Sequence, residues 1–267
     1  MKKTLVINKR PIRGYLHHYA HFLQDCLFPE VVHLQNYEFQ LIYRKHTKVN
    51  HLGFLQQIYE KVLAVKVKYL ENEEFEQMEK KIHKKMTKGF HWTLYNIPNS
   101  ILKFQTHVFK TIDLFNLDYP KYDIVLIERG VKKLIKDSEF KNHKTKTGSQ
   151  RRKIQNINQV EAFIKKKCEV RHLTYRRVQL EHIPFEEQVY LFHHAKMIVG
   201  IHGAGLSNLF FCKKYTKVVE IKPIISNYFS DISKTLSLIY RQPKNTLQSI
   251  KYAIQQLLLI NIPKQYS

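Results

Sequence analysis

The architecture of this 267-residue chain follows from one stretch, Lys196-Met-Ile-Val-Gly-Ile-His-Gly-Ala-Gly-Leu-Ser-Asn-Leu-Phe-Phe211, and from Val218-Val-Glu-Ile-Lys-Pro223 after it. The apolar run Met197 to Ile201 is short and rich in β-branched residues, which is typical of a buried strand in a parallel sheet. A glycine turn follows, and Leu206 to Phe211 then open an apolar helix. The sequence therefore predicts a strand, a turn, a helix and a second strand.

The glycine turn has the features of a site for an anion. Gly200, Gly203 and Gly205 let the backbone approach a ligand because no Cβ stands in the way. The first N–H groups of the next helix have no partner within the helix, and the helix dipole favours negative charge there. We therefore expect a phosphate group at this turn, with a tight packing turn as the alternative.

The order of the glycines excludes two common nucleotide-binding motifs. G-x-x-G-x-G differs from the dinucleotide fingerprint G-x-G-x-x-G, and the chain contains no G-x-x-x-x-G-K-[ST]. Ser207 lies in G-A-G-L-S-N, which is not the G-x-S-x-G turn of a nucleophilic serine.

Further motifs connect this stretch with a known family. They are Ile124-Val-Leu-Ile-Glu-Arg129, Arg151-Arg-Lys-Ile-x-Asn156, Glu181-x-x-Pro-Phe-x-Glu-Gln-Val189 and His202-Gly-Ala-Gly-Leu-Ser-Asn208. In this order and spacing they resemble the signature of glycosyltransferase family 61, mainly over residues 121–240. Residues 15–30 resemble a shorter N-terminal motif of the same family.

The alternation of strands and helices predicts an α/β fold with parallel sheets. The expected strands are 39–43, 65–70, 124–127, 169–173, 197–201 and 218–221, and the expected helices are 15–28, 52–65, 101–115, 157–167 with Asn156 or Asn158 as N-cap, 184–195, 229–240 and 250–259. The resemblance implies two Rossmann-like domains facing a cleft, the GT-B type. The domains are expected at 1–118, on the acceptor side, and 119–267, on the nucleotide-sugar side, and the last helix is free to pack back on the first domain.

The resemblance also implies the reaction: an inverting transfer from a nucleotide diphosphate sugar, with a UDP-sugar favoured, to a hydroxyl group of a glycan or a protein. Such a transfer requires positive charge or amides at the departing diphosphate. The chain contains no D-x-D, so we expect a metal-independent enzyme without a cofactor. The residues expected at the donor are Arg129, Arg152, His202, Gly203, Ala204, Gly205, Leu206, Ser207, Asn208 and Glu220.

Several of these residues have a predicted role of their own. The arginines present a fork of donors that never deprotonates, and Arg151 is a weaker candidate than Arg152. His202 is expected to bond a phosphate or the sugar, and Asn208 to cap the turn. Glu220 is expected either to hold ribose hydroxyls or to form an ion pair at the end of its strand.

The transfer also requires a base that deprotonates the acceptor hydroxyl. His17, His21 and Asp25 are spaced i, i+4, i+8 and share one face of the predicted first helix. His21 and Asp25 fall where the family has its His and Asp, and either can be the base. The alternatives are a structural hydrogen bond and, because of the H-x-x-x-H spacing, a zinc site.

The formal charge is +23, from 45 Lys and Arg against 22 Asp and Glu. Such charge favours binding to polyanions but does not define a function. A basic nucleic-acid-binding protein is therefore one alternative, although the basic residues are dispersed and no nucleic-acid-binding motif occurs. A transferase fold that has lost its activity and kept a binding role is the other.

The three cysteines, Cys26, Cys168 and Cys212, are far apart and predict free thiols, buried at least for Cys26 and Cys212. The apolar run near the N-terminus is too short for a signal peptide, and no window resembles a transmembrane segment. These features predict a protein of a reducing cytoplasm, or of the host cytoplasm if the source is a virus.

Overall fold

The computed structural model describes residues 98–130, 153–222 and 227–262, the strands Gln40–Arg44 and Lys66–Leu70, and residues 58, 61, 62, 73 and 77. The chain divides into two compact units, one of residues 1–94, 102–113 and 133–143, and one of residues 95–101, 114–132 and 144–267. The two Rossmann-like domains, the GT-B arrangement and the boundary at 118/119 remain predictions.

In the first unit, β1 (Gln40–Arg44) pairs in parallel with β2 (Lys66–Leu70), close to the predicted strands. Helix α1 spans Pro98–Thr111. Its apolar residues Phe104 and Val108 are fully buried, and His107 Nε2 lies 2.6 Å from the carbonyl oxygen of Val62. This unit therefore combines parallel strands with an amphipathic helix, as the sequence predicted.

The second unit is built on a five-stranded parallel sheet, so the predicted α/β class is confirmed. Its strands are β3 (Ile124–Ile127), β4 (Tyr175–Val178), β5 (Met197–Ile201), β6 (Lys217–Ile221) and β7 (Ile239–Arg241). They are arranged β4-β3-β5-β6-β7. β3 and β5 are neighbours in register from Ile124↔Met197 to Ile127↔Gly200.

The two faces of this sheet carry different layers. Alternate residues of β3, β5 and β6 share one core with α2 (Ile157–Arg171) and α5 (Leu247–Leu259). A 3-10 helix, Ala204–Phe211, lies on the opposite face. Its position is shown by Gly200 in β5, where an added methyl group would stand 3.3 Å from Leu206 Cδ2. Helices α3 (Phe185–His194) and α4 (Tyr228–Thr235) pack against this 3-10 helix.

Two predicted elements of the second unit were wrong. Residues 169–173 do not form a strand, because α2 continues to Arg171 with Val160, Ile164 and Cys168 buried at a spacing of four. The helix ends at His172, whose backbone is left-handed (φ 52°), and the strand starts later, at Tyr175.

Likewise, 229–240 is not one helix. Helix α4 ends at Thr235, Ser237 adopts a left-handed backbone (φ 56°), and β7 then pairs with β6. The short run of Ile239 and Tyr240 gains more from completing the sheet than from extending α4.

Helix ends differ from expectation in one respect. Asn156 stands at the N-cap of α2, but its backbone is left-handed (φ 55°) and its side chain makes no capping hydrogen bond. Instead its carbonyl oxygen accepts from the amides of Gln159 and Val160.

The last helix, α5, was left free by the sequence to pack on the N-terminal half, whereas its contacts in the structure are with α2 and β6. Within the described ranges, no helix has the length and apolar character needed to cross a membrane.

Candidate functional site

Two parts of the predicted donor site, Arg129 and the glycine turn, meet where β3 and β5 end. The chain runs from β3 out to β4 on one side and then returns past β3 to β5 on the other. At such a switch point the loops after the two central strands diverge and leave a crevice at their carboxyl ends, which is where open α/β sheets bind ligands. Arg129 follows β3, and His202 and Gly203 follow β5.

Arg129 lies directly against the glycine turn. A methyl group on Gly203 would stand 2.9 Å from Arg129 Nη1 and 3.2 Å from its Cζ. These two residues are 74 positions apart in the sequence (203 − 129). The structure thus brings together a cationic side chain and a backbone turn, which were predicted separately to bind the same diphosphate.

The turn amides begin the 3-10 helix. The Leu206 amide donates to the carbonyl oxygen of Gly203 at 3.0 Å, which closes the first turn. In this type of helix the preceding N–H groups, those of Ala204 and Gly205, have no partner within the helix. Of the turn amides predicted to bind a phosphate, that of Leu206 is engaged within the turn, and those of Ala204 and Gly205 remain the candidates.

His202 is held by a buried carboxylate. Its Nδ1 lies 2.5 Å from Glu220 Oε1. Glu220 is fully buried, and its other oxygen, Oε2, accepts from Tyr240 Oη and, at 3.2 Å, from Gln242 Nε2. Burial and the neighbouring Glu220 raise the pKa of Tyr240 well above its ordinary value, so its phenol keeps its proton and donates.

The side chains at the centre of the 3-10 helix are buried. Leu206, Ser207 and Asn208 are 1%, 0% and 0% exposed. Asn208 Nδ2 donates to Gln188 Oε1 at 2.9 Å, and Gln188 Nε2 donates to the carbonyl oxygens of Leu180 and Ile183. Asn208 thus connects the 3-10 helix to α3 and to the segment before it, while its predicted contact with the donor stays a prediction.

The segment that carries Arg129 is fixed from the sheet side. Arg177 in β4 donates through Nε and Nη2 to the two carboxylate oxygens of Glu128, at 3.0 and 2.7 Å. Its Nη1 also donates to Glu161 and Asn158 at 2.8 Å. Such a two-point contact fixes direction as well as charge, so the residue before Arg129 has a defined position.

Two histidines at the end of α3 lie near the start of β5, at the opposite end of that strand from the glycine turn. Burial, with Lys213 and His194 nearby, lowers the pKa of His193 to about 4, and burial also lowers that of His194. Both rings are therefore neutral at pH 7 and add no positive charge to the end of the helix. Cys168 and Cys212 are buried free thiols, as predicted for Cys212, and burial raises the pKa of both.

Sequence reasoning missed the partners of the site residues. Nothing in the local pattern identified Tyr240 or Gln242, and Arg177 was placed outside any strand. Gln188 stood in one of the quoted motifs, which was a usable signal. His17, His21, Asp25, Arg151 and Arg152 lie outside the described residues, so their predicted roles stay predictions. Across the described part of the chain, no cluster of three or more His, Cys, Asp or Glu could hold a metal ion.

A family model described as Glycosyltransferase 61 matches residues 19–219, which is more than half of the chain. The matched range includes Arg129 and the turn after β5. No curated protein matches the chain.

Proposed function

The chain belongs to glycosyltransferase family 61, and on that premise we propose that it moves a sugar from a nucleotide diphosphate sugar to a hydroxyl group of a glycan or a protein. The donor is proposed to be a UDP-sugar, and the reaction to invert the anomeric carbon without a divalent metal. The observation that carries this proposal is the contact of Arg129 with Gly203 at the switch point of the sheet.

The diphosphate of the donor is proposed to bind in the crevice where Arg129 and the turn adjoin. The guanidinium supplies a permanent positive charge, and the amides of Ala204 and Gly205 supply directed donors. These groups are held in place before the substrate arrives, which is the condition under which fixed donors stabilise developing charge most effectively. This arrangement serves the need that a metal meets in other transferases, and the absence of D-x-D from the sequence supports it.

The proposed transfer is a single displacement. The base, His21 or Asp25, takes the proton of the acceptor hydroxyl, and the hydroxyl oxygen forms a bond to the anomeric carbon. On the opposite side the bond from that carbon to the phosphate oxygen breaks, and UDP leaves with its electron pair. Attack opposite to the leaving group inverts the configuration, and the negative charge that develops on the phosphate oxygen is met by Arg129 and the turn amides.

Thermal unfolding with nucleotides tests the donor. The purified chain is melted with UDP, GDP, UDP-sugars and GDP-sugars, each with and without EDTA. A ligand that binds only the folded state raises the melting temperature. The proposal expects a shift with UDP or a UDP-sugar that EDTA does not reduce. No shift with any nucleotide would favour a fold that has lost its activity, and a shift that EDTA abolishes would contradict metal independence.

A pair of variants tests the base. His21→Ala is expected to abolish turnover and to leave UDP binding nearly intact, whereas His17→Ala, four positions earlier in the sequence, is the matched control. Equal turnover of the wild type and His21→Ala would remove His21 from the mechanism, and the same test then applies to Asp25→Asn. The anomeric configuration of the product, read by NMR, decides between inversion and retention.

A further inference from the structure

We propose that Glu220 is a positioning residue that keeps a proton on His202 Nε2, so that this ring nitrogen donates a hydrogen bond to the diphosphate of the donor. The inference rests on the proposed function and deepens it. It assigns Glu220 to the histidine instead of to the ribose, and it makes His202 the group that touches the substrate.

Both carboxylate oxygens of Glu220 have hydrogen-bond partners. Its Oε2 accepts from Tyr240 Oη and Gln242 Nε2, so that oxygen carries no proton of its own. Its Oε1 lies 2.5 Å from His202 Nδ1, a separation that requires one proton between the two atoms. The Nδ1 side of the imidazole is therefore occupied, and Nε2 is the ring nitrogen left for a ligand.

The buried pair of Glu220 and His202 has a net charge that depends on its number of protons. Glu220 is fully buried and the His202 side chain is 14% exposed. With only the bridging proton, the pair carries a net charge of −1, whichever of the two atoms holds it. The hydrogen bonds from Tyr240, Gln242 and His202 offset only part of the cost of that buried charge, and a second proton on Nε2 makes the pair neutral overall. In that state Nε2 is a hydrogen-bond donor, which suits an anionic ligand.

His202 lies next to the proposed phosphate site in the sequence. His202 directly precedes Gly203, and Arg129 Nη1 lies against Gly203 on the side where a Cβ would stand. The edge of the His202 ring packs on Phe229, with centroids 5.2 Å apart, so the ring is fixed by an apolar contact as well as by Glu220. A phosphate bound at the turn would thus lie beside three kinds of donor: the Arg129 guanidinium, the turn amides and one imidazole N–H.

The roles of positioning and of ribose binding predict different losses. A carboxylate that holds ribose hydroxyls would contribute equally to the affinities for UDP and for uridine. A carboxylate that acts through His202 on the diphosphate contributes to UDP only. The measurement is therefore the ratio of UDP to uridine affinity by calorimetry, with GDP and guanosine as a second pair.

Glu220→Gln is the central variant. It keeps the shape and an acceptor for Nδ1–H, but it removes the charge that retains the Nε2 proton. We expect UDP affinity to fall about 10-fold or more, the worth of one charge-assisted hydrogen bond, with uridine affinity unchanged. His202→Ala should give the same loss. Asp123→Asn is the matched control, since it makes the equivalent change in a carboxylate that pairs with Lys196 at the other end of β3, and we expect UDP affinity within about 3-fold of the wild type.

Several results would overturn the inference. They are an unchanged UDP affinity in Glu220→Gln, a parallel loss of uridine binding, and a loss in Asp123→Asn as large as in Glu220→Gln. NMR of the wild-type chain with ¹⁵N-labelled histidine gives a readout that needs no variant of Glu220. A protonated His202 Nε2, identified by its loss in His202→Ala, supports the inference, and an unprotonated Nε2 overturns it.

The same experiments separate this inference from the proposed function. If the wild type binds neither UDP nor GDP, the proposed donor class fails, and the NMR measurement alone decides the protonation of His202. If the wild type binds UDP and transfers sugar but Glu220→Gln behaves like the wild type, the function stands and the positioning role is lost.

Discussion

Arg129 occupies the space into which a side chain on Gly203 would project, with 2.9 Å between the Nη1 atom and the position of the added carbon. Real side-chain carbons do not approach nitrogen that closely, so Gly203 and Arg129 are sterically matched. The contact involves the far end of a flexible side chain, so the chain tolerates a larger residue by moving Arg129. A larger side chain at Gly203 should therefore affect donor binding more than it affects the stability of the fold.

Gly203→Ala should weaken donor binding without unfolding the protein. We expect UDP affinity to fall on the order of 10-fold because the guanidinium moves away from the diphosphate, while the melting temperature changes little. Gly200→Ala is the matched control, because its added carbon would lie 3.3 Å from Ile127 and Leu206 in the core and should lower stability instead. An unchanged UDP affinity in Gly203→Ala, measured by calorimetry, would show that Arg129 does not hold the donor at this turn.

Arg129→Lys should keep the charge and lose the geometry. Lysine offers one point charge in place of a planar fork of donors, so it matches a diphosphate less well. We expect kcat/KM to fall on the order of 100-fold, as for the loss of one donor to developing charge. The steady-state rate with the donor identified by thermal unfolding measures this, and a rate within about 2-fold of the wild type would mean that Arg129 has no part in catalysis.

The fold class could be predicted because it depends on local pattern. The apolar run Met197 to Ile201 is short, rich in β-branched residues and followed by glycines, which favours a buried strand and a tight connection, and both occur as predicted. The ends of α2 and α4 could not be predicted, because left-handed residues such as His172 and Ser237 carry no mark in the sequence that distinguishes them from helical ones.

The site could be predicted only in part, for a related reason. The residues of the turn are adjacent in sequence, so their association is a local property. The two donors to Glu220 Oε2 come from β7 and the residue after it, and β7 pairs with β6 only in the folded sheet. Tyr240 and Gln242 are 20 and 22 positions from Glu220, and no periodicity connects them.

Asn208→Ala should reduce stability. The variant would leave Gln188 Oε1 without its donor in a buried environment, which costs roughly 1–3 kcal/mol. The free energy of unfolding in urea measures this loss. Gln188→Ala should cost more, because Gln188 also donates to Leu180 and Ile183, and the double variant should cost less than the sum, because the two side chains share one hydrogen bond. Additive losses would show that the bond between Asn208 and Gln188 does not contribute to stability.

The network of Arg177 predicts how stability depends on pH. The hydrogen bond from Arg177 lowers the pKa of Glu128 below its ordinary value of 4.5. Burial alone would raise the pKa of Glu161, but its hydrogen bonds with Arg177 and Tyr175 outweigh this and lower it. A carboxyl group whose pKa is lower in the folded state stabilises the protein above its unfolded pKa, and this contribution is lost as the pH falls through the folded pKa.

Arg177→Met should therefore lower stability at pH 7 by about 1 kcal/mol, a value reduced for partial exposure of the pair, and the difference from the wild type should shrink below about pH 4.5. Urea unfolding of both proteins from pH 7 to pH 3 measures this. Lys165→Gln is the control, because its ion pair with Glu161 is half exposed and should contribute less. A difference that persists unchanged at pH 3 would mean that Arg177 stabilises the sheet through the packing of its aliphatic stem, since a contribution that depends on ionised Glu128 and Glu161 must disappear once both are protonated.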